Sequence, residues 1–117
     1  MVRITRYLVV FISILFFTTA ASAQPIIIDS AMKRLDGDEN SRYVKYSWKV
    51  LIEADSEMTC FINISLRDDD DMEFSSVTEY VHIVPGENLF TGTRTIKSKS
   101  WFSMKSAPVR LSGCTDR

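Results

Sequence analysis

The sequence predicts an all-β fold, a small antiparallel β-sandwich, on the strength of three observations. Residues 44–53 and 58–67 alternate apolar and polar side chains with the period of two that a half-buried strand shows. Further short segments rich in β-branched and aromatic residues recur at intervals of about ten residues, separated by turn-forming residues. No segment after residue 23 has a helical period. A sandwich or a barrel accounts for this pattern.

The first 23 residues are organised like a secretory signal peptide. Arg3 and Arg6 give a positively charged start, residues 7–17 are almost entirely apolar, and the small residues at 21–23 fit a cleavage site. The apolar stretch is shorter than the roughly 20 residues that a membrane-spanning helix needs. We therefore expect residues 1–23 to be removed and the mature protein to be periplasmic or secreted, with no membrane span after processing.

The remaining residues, 24–117, suffice for one small domain. The predicted signal holds two of the 14 basic residues and none of the 15 acidic ones, so 12 basic against 15 acidic residues leave a net charge of −3. Nucleic-acid binding needs a clustered basic surface, and the sequence contains no such cluster. We exclude nucleic acid as a partner, while the oligomeric state stays open.

The clearest strand signals are the two alternating segments. In the first, four of the five residues between the apolar ones are polar. A polar connection of hairpin length at residues 54–57 joins the first segment to the second. The second segment ends at an acidic run. The residues expected to face the core are Val44, Tyr46, Trp48, Val50 and Ile52 in the first strand and Met58, Cys60, Ile62, Ile64 and Leu66 in the second.

The other strand candidates are shorter or less regular. Trp48 shares the apolar stripe of its strand and should pack in the core, whereas Trp101 follows a polar stretch and is expected to be the more exposed tryptophan. The candidate strands are residues 26–28, 76–84, 89–96, 101–104 and 109–111, with a loop at residues 35–42 and a turn at Pro85-Gly86-Glu87-Asn88.

Two cysteines, Cys60 and Cys114, remain after the predicted signal. An exported chain meets an oxidising compartment, where paired thiols form disulfides. A bond between them would close a loop of about 55 residues and contribute roughly 4 kcal/mol in the chain-entropy estimate. We expect this disulfide. The alternative is two unpaired cysteines, because a sequence does not give the separation that a disulfide requires.

The segment Ile64-Ser65-Leu66-Arg67-Asp68, on a strand that leads into an acidic turn, resembles the signature of the FxLYD-type domains, a family of exported bacterial immunoglobulin-like modules. Leu66 and Asp68 match the signature, whereas Ile64 replaces an aromatic residue and Arg67 replaces a tyrosine. Trp48-Lys49-Val50 and Pro85-Gly86-Glu87 lie about where such domains carry similar elements, so the resemblance covers roughly residues 43–96. It implies an immunoglobulin-like β-sandwich outside the cytoplasm, with no catalytic residues to carry over.

The acidic run Asp68, Asp69, Asp70 and Asp71 is a candidate metal site, because calcium takes several carboxylate oxygens as ligands. On a strand, alternate side chains diverge, so the four could converge only in a turn. The competing interpretation is a solvated hairpin tip. Residues 36–40 resemble the start of a calcium loop, but Ser41 and Ser47 replace the glycine and glutamate of that motif, and we interpret the segment as a polar turn.

His82, the only histidine, shares a predicted strand face with Tyr80 and Val84. A general base needs a nucleophile or substrate beside it, and no such constellation is evident, so we expect neither an enzyme nor a cofactor. The leading hypothesis is an exported, non-catalytic module that binds a protein partner or serves as an accessory domain in the periplasm, since an open sandwich presents edge strands. The alternative is a secreted protein that binds calcium or a small ligand through the acidic turn.

Overall fold

Six strands and one short helix make up the fold in the computed structural model, which describes residues 24–116. The predicted signal peptide lies outside the described residues. Within them, no helix has the length and apolar character needed to cross a membrane. The elements are β1 (Ile26–Asp36), β2 (Tyr43–Ala54), β3 (Met58–Arg67), β4 (Glu73–Ile83), β5 (Gly86–Lys97), α1 (Ser98–Ser103) and β6 (Val109–Asp116).

The strands form two antiparallel three-stranded sheets with the orders β1-β2-β5 and β4-β3-β6, which confirms the predicted β-sandwich. The short connection at residues 55–57 does not close a hairpin. It carries the chain from one sheet to the other, although its length would also suit a hairpin, and β2 and β3 are the central strands of opposite sheets. Two strands that each have one apolar face bury more apolar surface when those faces stack than when they lie side by side.

The core lies between β2 and β3. All ten residues predicted to face it are buried, and β4 adds Val77 and Ile83. Burying one aliphatic side chain of this size stabilises a fold by roughly 1.5–3 kcal/mol. The two alternating segments of the sequence therefore supply most of the hydrophobic stabilisation.

The outer strands are longer than predicted. β1, predicted at residues 26–28, continues to Asp36, and β6, predicted at residues 109–111, continues to Asp116. The added residues are mostly polar and exposed. A strand at the edge of a sheet buries little, and its sequence therefore carries little apolar periodicity.

The segment predicted as a strand at residues 101–104 belongs mainly to α1, which corrects that expectation. Trp101 is half-buried and stacks on Tyr46, with ring centroids 5.2 Å apart, and it is the more exposed of the two tryptophans, as expected, because Trp48 is buried. The hydroxyl of Ser98 donates to the carbonyl oxygen of Ser41 and holds the start of the helix against the preceding loop. Six residues are too few for a helical period to be visible in the sequence.

The crossing from β4 to β5 is held by Asn88, a buried polar residue. Its Oδ1 accepts a hydrogen bond from Val84 N–H (3.0 Å), and its Nδ2 donates to the carbonyl oxygens of Val84 (2.8 Å) and Gly86 (3.1 Å). One side chain thereby satisfies several backbone groups at the point where the chain leaves one sheet for the other.

Cys60 and Cys114 form the predicted disulfide, which links β3 to its neighbour β6 within one sheet. Thr59 pairs with Thr115 and Phe61 with Ser112, so two residues of β6 lie opposite Cys60. This β-bulge contains Gly113 at φ 59°, a left-handed conformation that glycine adopts at low cost. The extra residue places Cys114 on the inner side of the sheet, where Cys60 lies.

Candidate functional site

Asp68, Asp69, Asp70 and Asp71 lie in the connection between β3 and β4, and Asp68 organises this turn. Its Oδ1 accepts hydrogen bonds from the backbone N–H groups of Asp70 (2.9 Å) and Met72 (3.1 Å). Asp71 adopts φ 60°, a left-handed conformation that aspartate tolerates better than most residues. The carboxylate of Asp68 is thus engaged in closing the turn.

Two other carboxylates of the run each lie near a basic side chain, and the two basic side chains are different. Asp71 Oδ1 lies 3.5 Å from Arg67 Nη1, and Asp69 Oδ1 lies 3.5 Å from Lys105 Nζ. Among residues 24–116, no three histidine, cysteine or acidic side chains are grouped as metal ligands would be. Calcium binding by the acidic run would therefore require these side chains to leave their present partners.

The second acidic segment, at residues 36–40, forms a polar turn. Asp38 Oδ1 accepts hydrogen bonds from the backbone N–H groups of Asn40 (2.9 Å) and Ser41 (3.1 Å). These bonds, with a further one from the Ser41 hydroxyl, hold the pKa of the exposed Asp38 carboxyl below its ordinary value of 3.8. The carboxylate stabilises the loop between β1 and β2.

His82 lies on the outer face of the β4-β3-β6 sheet, opposite Thr59. Its Nε2 is 2.7 Å from Oε2 of Glu57, which lies in the connection between β2 and β3. The Thr59 hydroxyl is hydrogen-bonded to that of Thr115 (2.9 Å). The Glu57–His82 pair thus ties the first crossing between the sheets to β4.

Phe61 and Tyr80 form an exposed aromatic pair on the same outer face. They lie directly opposite each other on β3 and β4, with ring centroids 4.9 Å apart and ring planes tilted by 53°. Phe61 is 40% exposed and Tyr80 is 62% exposed. We refer to the outer face of the β4-β3-β6 sheet, centred on this pair, as the aromatic face. Exposed tyrosine and its aromatic neighbours are enriched where proteins meet a partner.

Ordered polar side chains border the aromatic pair. Asn63 Nδ2 donates to Ser112 Oγ (2.7 Å), and Asn63 Oδ1 accepts from Thr78 Oγ1 (3.3 Å), which joins all three strands. Beyond Asn63 lies a concave region of about 600 Å³ that Arg67 and Arg110 help to line. The hydrogen bonds fix the polar groups before any partner arrives, which lowers the entropy cost of binding.

Sequence reasoning missed the aromatic face, although a signal for it exists. Phe61 occupies the polar half of the β3 alternation, between Thr59 and Asn63. Tyr80 has Thr78 and His82 as its neighbours on the same strand face. A large aromatic residue whose neighbours two positions away are both polar points outward with them, and that pattern identifies an exposed aromatic group.

No protein-family model matches the chain, and no curated protein matches it either. The resemblance to FxLYD-type domains therefore rests only on the residues that carry it. The β-sandwich and the Cys60–Cys114 disulfide stand independently of that resemblance.

Proposed function

We propose that the protein is an exported, non-catalytic binding module that contacts a protein partner through the aromatic face. The observation that carries this proposal is the Phe61–Tyr80 pair, which stays exposed although the sandwich has a separate apolar core. Exposed aromatic surface is unfavourable in water and becomes favourable when a partner covers it.

The chemistry of the face favours a protein as the partner. The face has the composition typical of a protein–protein contact surface: aromatic groups at the centre, a hydrogen-bonded polar border and an exposed arginine. Arg110 lies opposite Asn63 in the register, beside the ordered Asn63–Ser112 hydrogen bond. We infer a partner surface that offers an apolar pocket to Tyr80 and a carboxylate to Arg110.

The disulfide supports a setting outside the cytoplasm, because such bonds form and persist in oxidising compartments. It agrees with the export signal that the sequence predicts at residues 1–23. Periplasmic or secreted localisation is therefore part of the proposal.

The strand order supports the inference that the sandwich is immunoglobulin-like. Lettered as in immunoglobulin domains, the orders β1-β2-β5 and β4-β3-β6 correspond to A-B-E and C′-C-F. Two residues that carry the FxLYD resemblance also have clear roles, since Leu66 is fully buried and Asp68 caps the β3–β4 turn. These roles suit a signature that joins a core strand to a turn.

Partner capture tests the proposal. The full chain is expressed in an export-competent host, purified, immobilised and exposed to envelope and secreted fractions of the native host. The wild-type protein is compared with the double variant Phe61→Ser/Tyr80→Ser and with Leu89→Ser, a matched control. Leu89 is another large exposed apolar residue, 59% accessible, but it lies on the opposite sheet.

We expect the wild type and Leu89→Ser to retain the same protein in similar amounts. The double variant should retain about tenfold less of it, or less still, since hot-spot residues dominate binding energy. Circular dichroism checks that all three proteins are folded. Equal retention by the double variant, or repeated failure of the wild type to retain any specific protein, would overturn the proposal.

A further inference from the structure

A long, exposed edge on the other sheet carries a second interaction surface. β1 pairs with β2 on one side, and no strand within residues 24–116 pairs with its other side. The strand has 11 residues, and large apolar residues such as Ile26 and Leu35 are exposed along it. An unpaired edge of this length is a template for pairing with another strand.

Two irregularities limit where a second strand can pair. The register of β1 against β2 shifts between Ile27 and Asp29 and again between Arg34 and Asp36. Such bulges bend a strand and disrupt its ladder. The regular part of the edge is therefore the segment from Asp29 to Arg34.

The charges of this segment are complementary to themselves. Asp29 and Lys33 lie two residues before and two residues after Ala31, and all three are exposed on the outer face of the sheet. If two copies pair in antiparallel fashion about a twofold axis at Ala31, Asp29 of each copy lies opposite Lys33 of the other. Opposite charges in directly facing positions stabilise strand pairing, and like charges destabilise it.

No other twofold register within the segment has this property. In an antiparallel pair, residues that face each other point to the same side of the sheet. A twofold axis perpendicular to the sheet must therefore lie at one residue, which then faces the same residue of the second copy. Centring on Asp29, Lys33 or Arg34 would place that charged residue opposite the same residue of the second copy. With the axis at Ser30 or Met32, Asp29 of one copy does not face Lys33 of the other.

The inner side of the same segment fits the same pairing. Ser30 and Met32 line a groove of about 230 Å³, and Ile64, Met104 and Val109 also line it. With the axis at Ala31, Met32 of a second copy lies opposite Ser30 at the mouth of this groove. The second copy would thus add apolar cover to half-buried residues at the open side of the sandwich.

We propose that the protein forms a symmetric dimer by antiparallel pairing of β1 with β1 of a second copy, centred on Ala31. The two β1-β2-β5 sheets then form one continuous six-stranded sheet. The dimer uses the opposite sheet from the aromatic face and goes beyond the function proposed above.

Charge exchange tests the pairing and its register. Sedimentation velocity over a range of concentrations is measured for the exported protein, for Asp29→Lys, for Lys33→Asp, for an equimolar mixture of these two variants, and for the double variant Asp29→Lys/Lys33→Asp. We expect the wild type to dimerise with rising concentration and each single variant to associate at least about tenfold more weakly, because every substitution occurs twice at the axis. The mixture and the double variant should dimerise like the wild type, since both restore opposite charges.

Two controls separate this contact from others. Lys99→Asp reverses an exposed charge on α1 and should leave association unchanged. Phe61→Ser/Tyr80→Ser should also leave it unchanged, so failure of the dimer and failure of the aromatic face are distinguishable. A wild type that stays monomeric up to millimolar concentration, or a dimer that the single charge variants do not weaken, would overturn the proposal.

Discussion

The indole ring of Trp48 lies directly over the backbone of Gly92, its register partner on β5. A methyl group on residue 92 would lie 2.5 Å from Trp48 Nε1 and 2.6 Å from Cε2. Trp48 is only 3% exposed, and within residues 24–116 no atom accepts a hydrogen bond from its Nε1. Packing, and not hydrogen bonding, therefore fixes the ring, and the absent side chain at position 92 makes room for it.

Gly92→Ala should destabilise the protein by about 1–3 kcal/mol, because either the indole leaves its position or β5 moves away from β2. Urea denaturation gives the free energy of unfolding. Thr91→Ala and Thr93→Ala, at exposed neighbouring positions, are matched controls and should change it by less than about 0.5 kcal/mol. In a Trp48→Leu background the penalty of Gly92→Ala should shrink. Equal effects of all three substitutions would argue against the close contact.

Reducing the Cys60–Cys114 bond should lower the free energy of unfolding by about 4 kcal/mol, since the bond closes a long loop in the unfolded chain. Urea midpoints with and without reductant measure this difference. Cys60→Ala/Cys114→Ala should be insensitive to reductant and about as stable as the reduced wild type. A wild type that reductant does not affect would contradict the stabilising role of the bond.

Replacing Asn88 should weaken the crossing from β4 to β5. Asn88→Leu leaves the Val84 N–H and the carbonyl groups of Ile52, Val84 and Gly86 without their partner and should cost about 1–3 kcal/mol. Leu89→Ala, at the exposed next position, serves as the control in the same urea experiment. Hydrogen exchange should show faster exchange at Val84 N–H in the Asn88→Leu variant. Unchanged protection there would mean that the side chain does not hold the crossing.

The stabilising effect of Asp38 should depend on pH in a defined direction. Because hydrogen bonds from Asn40 and Ser41 lower the folded-state pKa below 3.8, the contribution is present above that value and is lost as pH falls through the lower pKa of the folded state. Thermal unfolding of the wild type and of Asp38→Asn between pH 7 and pH 2 measures it. The wild type should lose more stability than the variant across the acid range. Parallel curves would exclude this role of Asp38.

Millimolar calcium should leave the melting temperature unchanged. A ligand that binds only the folded state must stabilise it. The side chains of Asp68, Asp69 and Asp71, all in the β3–β4 turn, already contact separate partners. Differential scanning fluorimetry with calcium and with magnesium as control checks this. A calcium-specific rise that Asp68→Asn abolishes would favour the alternative hypothesis of a calcium-binding protein.

The burial pattern of the central strands could be predicted from the sequence because it is a local property. Alternation places Trp48 and Ile62 on apolar faces whichever strands pair with them. Pairing is not local. The polar connection at residues 55–57 suits either a hairpin or a crossing between sheets, and only the packing of the two apolar faces decides between them.

The disulfide could be predicted because the sequence contains only two cysteines and begins with a predicted export signal. Its position in the fold could not be predicted. The bulge at Gly113 that turns Cys114 inward depends on register against β3, which composition does not reveal. The candidate site is less visible in the sequence, because the four consecutive aspartates that begin at Asp68 are a conspicuous motif and the single exposed Phe61 is not. The aromatic pair becomes apparent only when Phe61 and Tyr80 are seen to be opposite each other.

Site-specific photo-cross-linking in the native host tests the proposed binding surface most directly. A photoreactive phenylalanine analogue is placed at Tyr80 on the aromatic face or at Leu89 on the opposite sheet, both of which are more than half exposed. We predict one discrete adduct with another protein from position 80 and none with that protein from position 89. The same adduct from position 89, or no adduct from position 80, would contradict the assignment of the aromatic face as the partner surface.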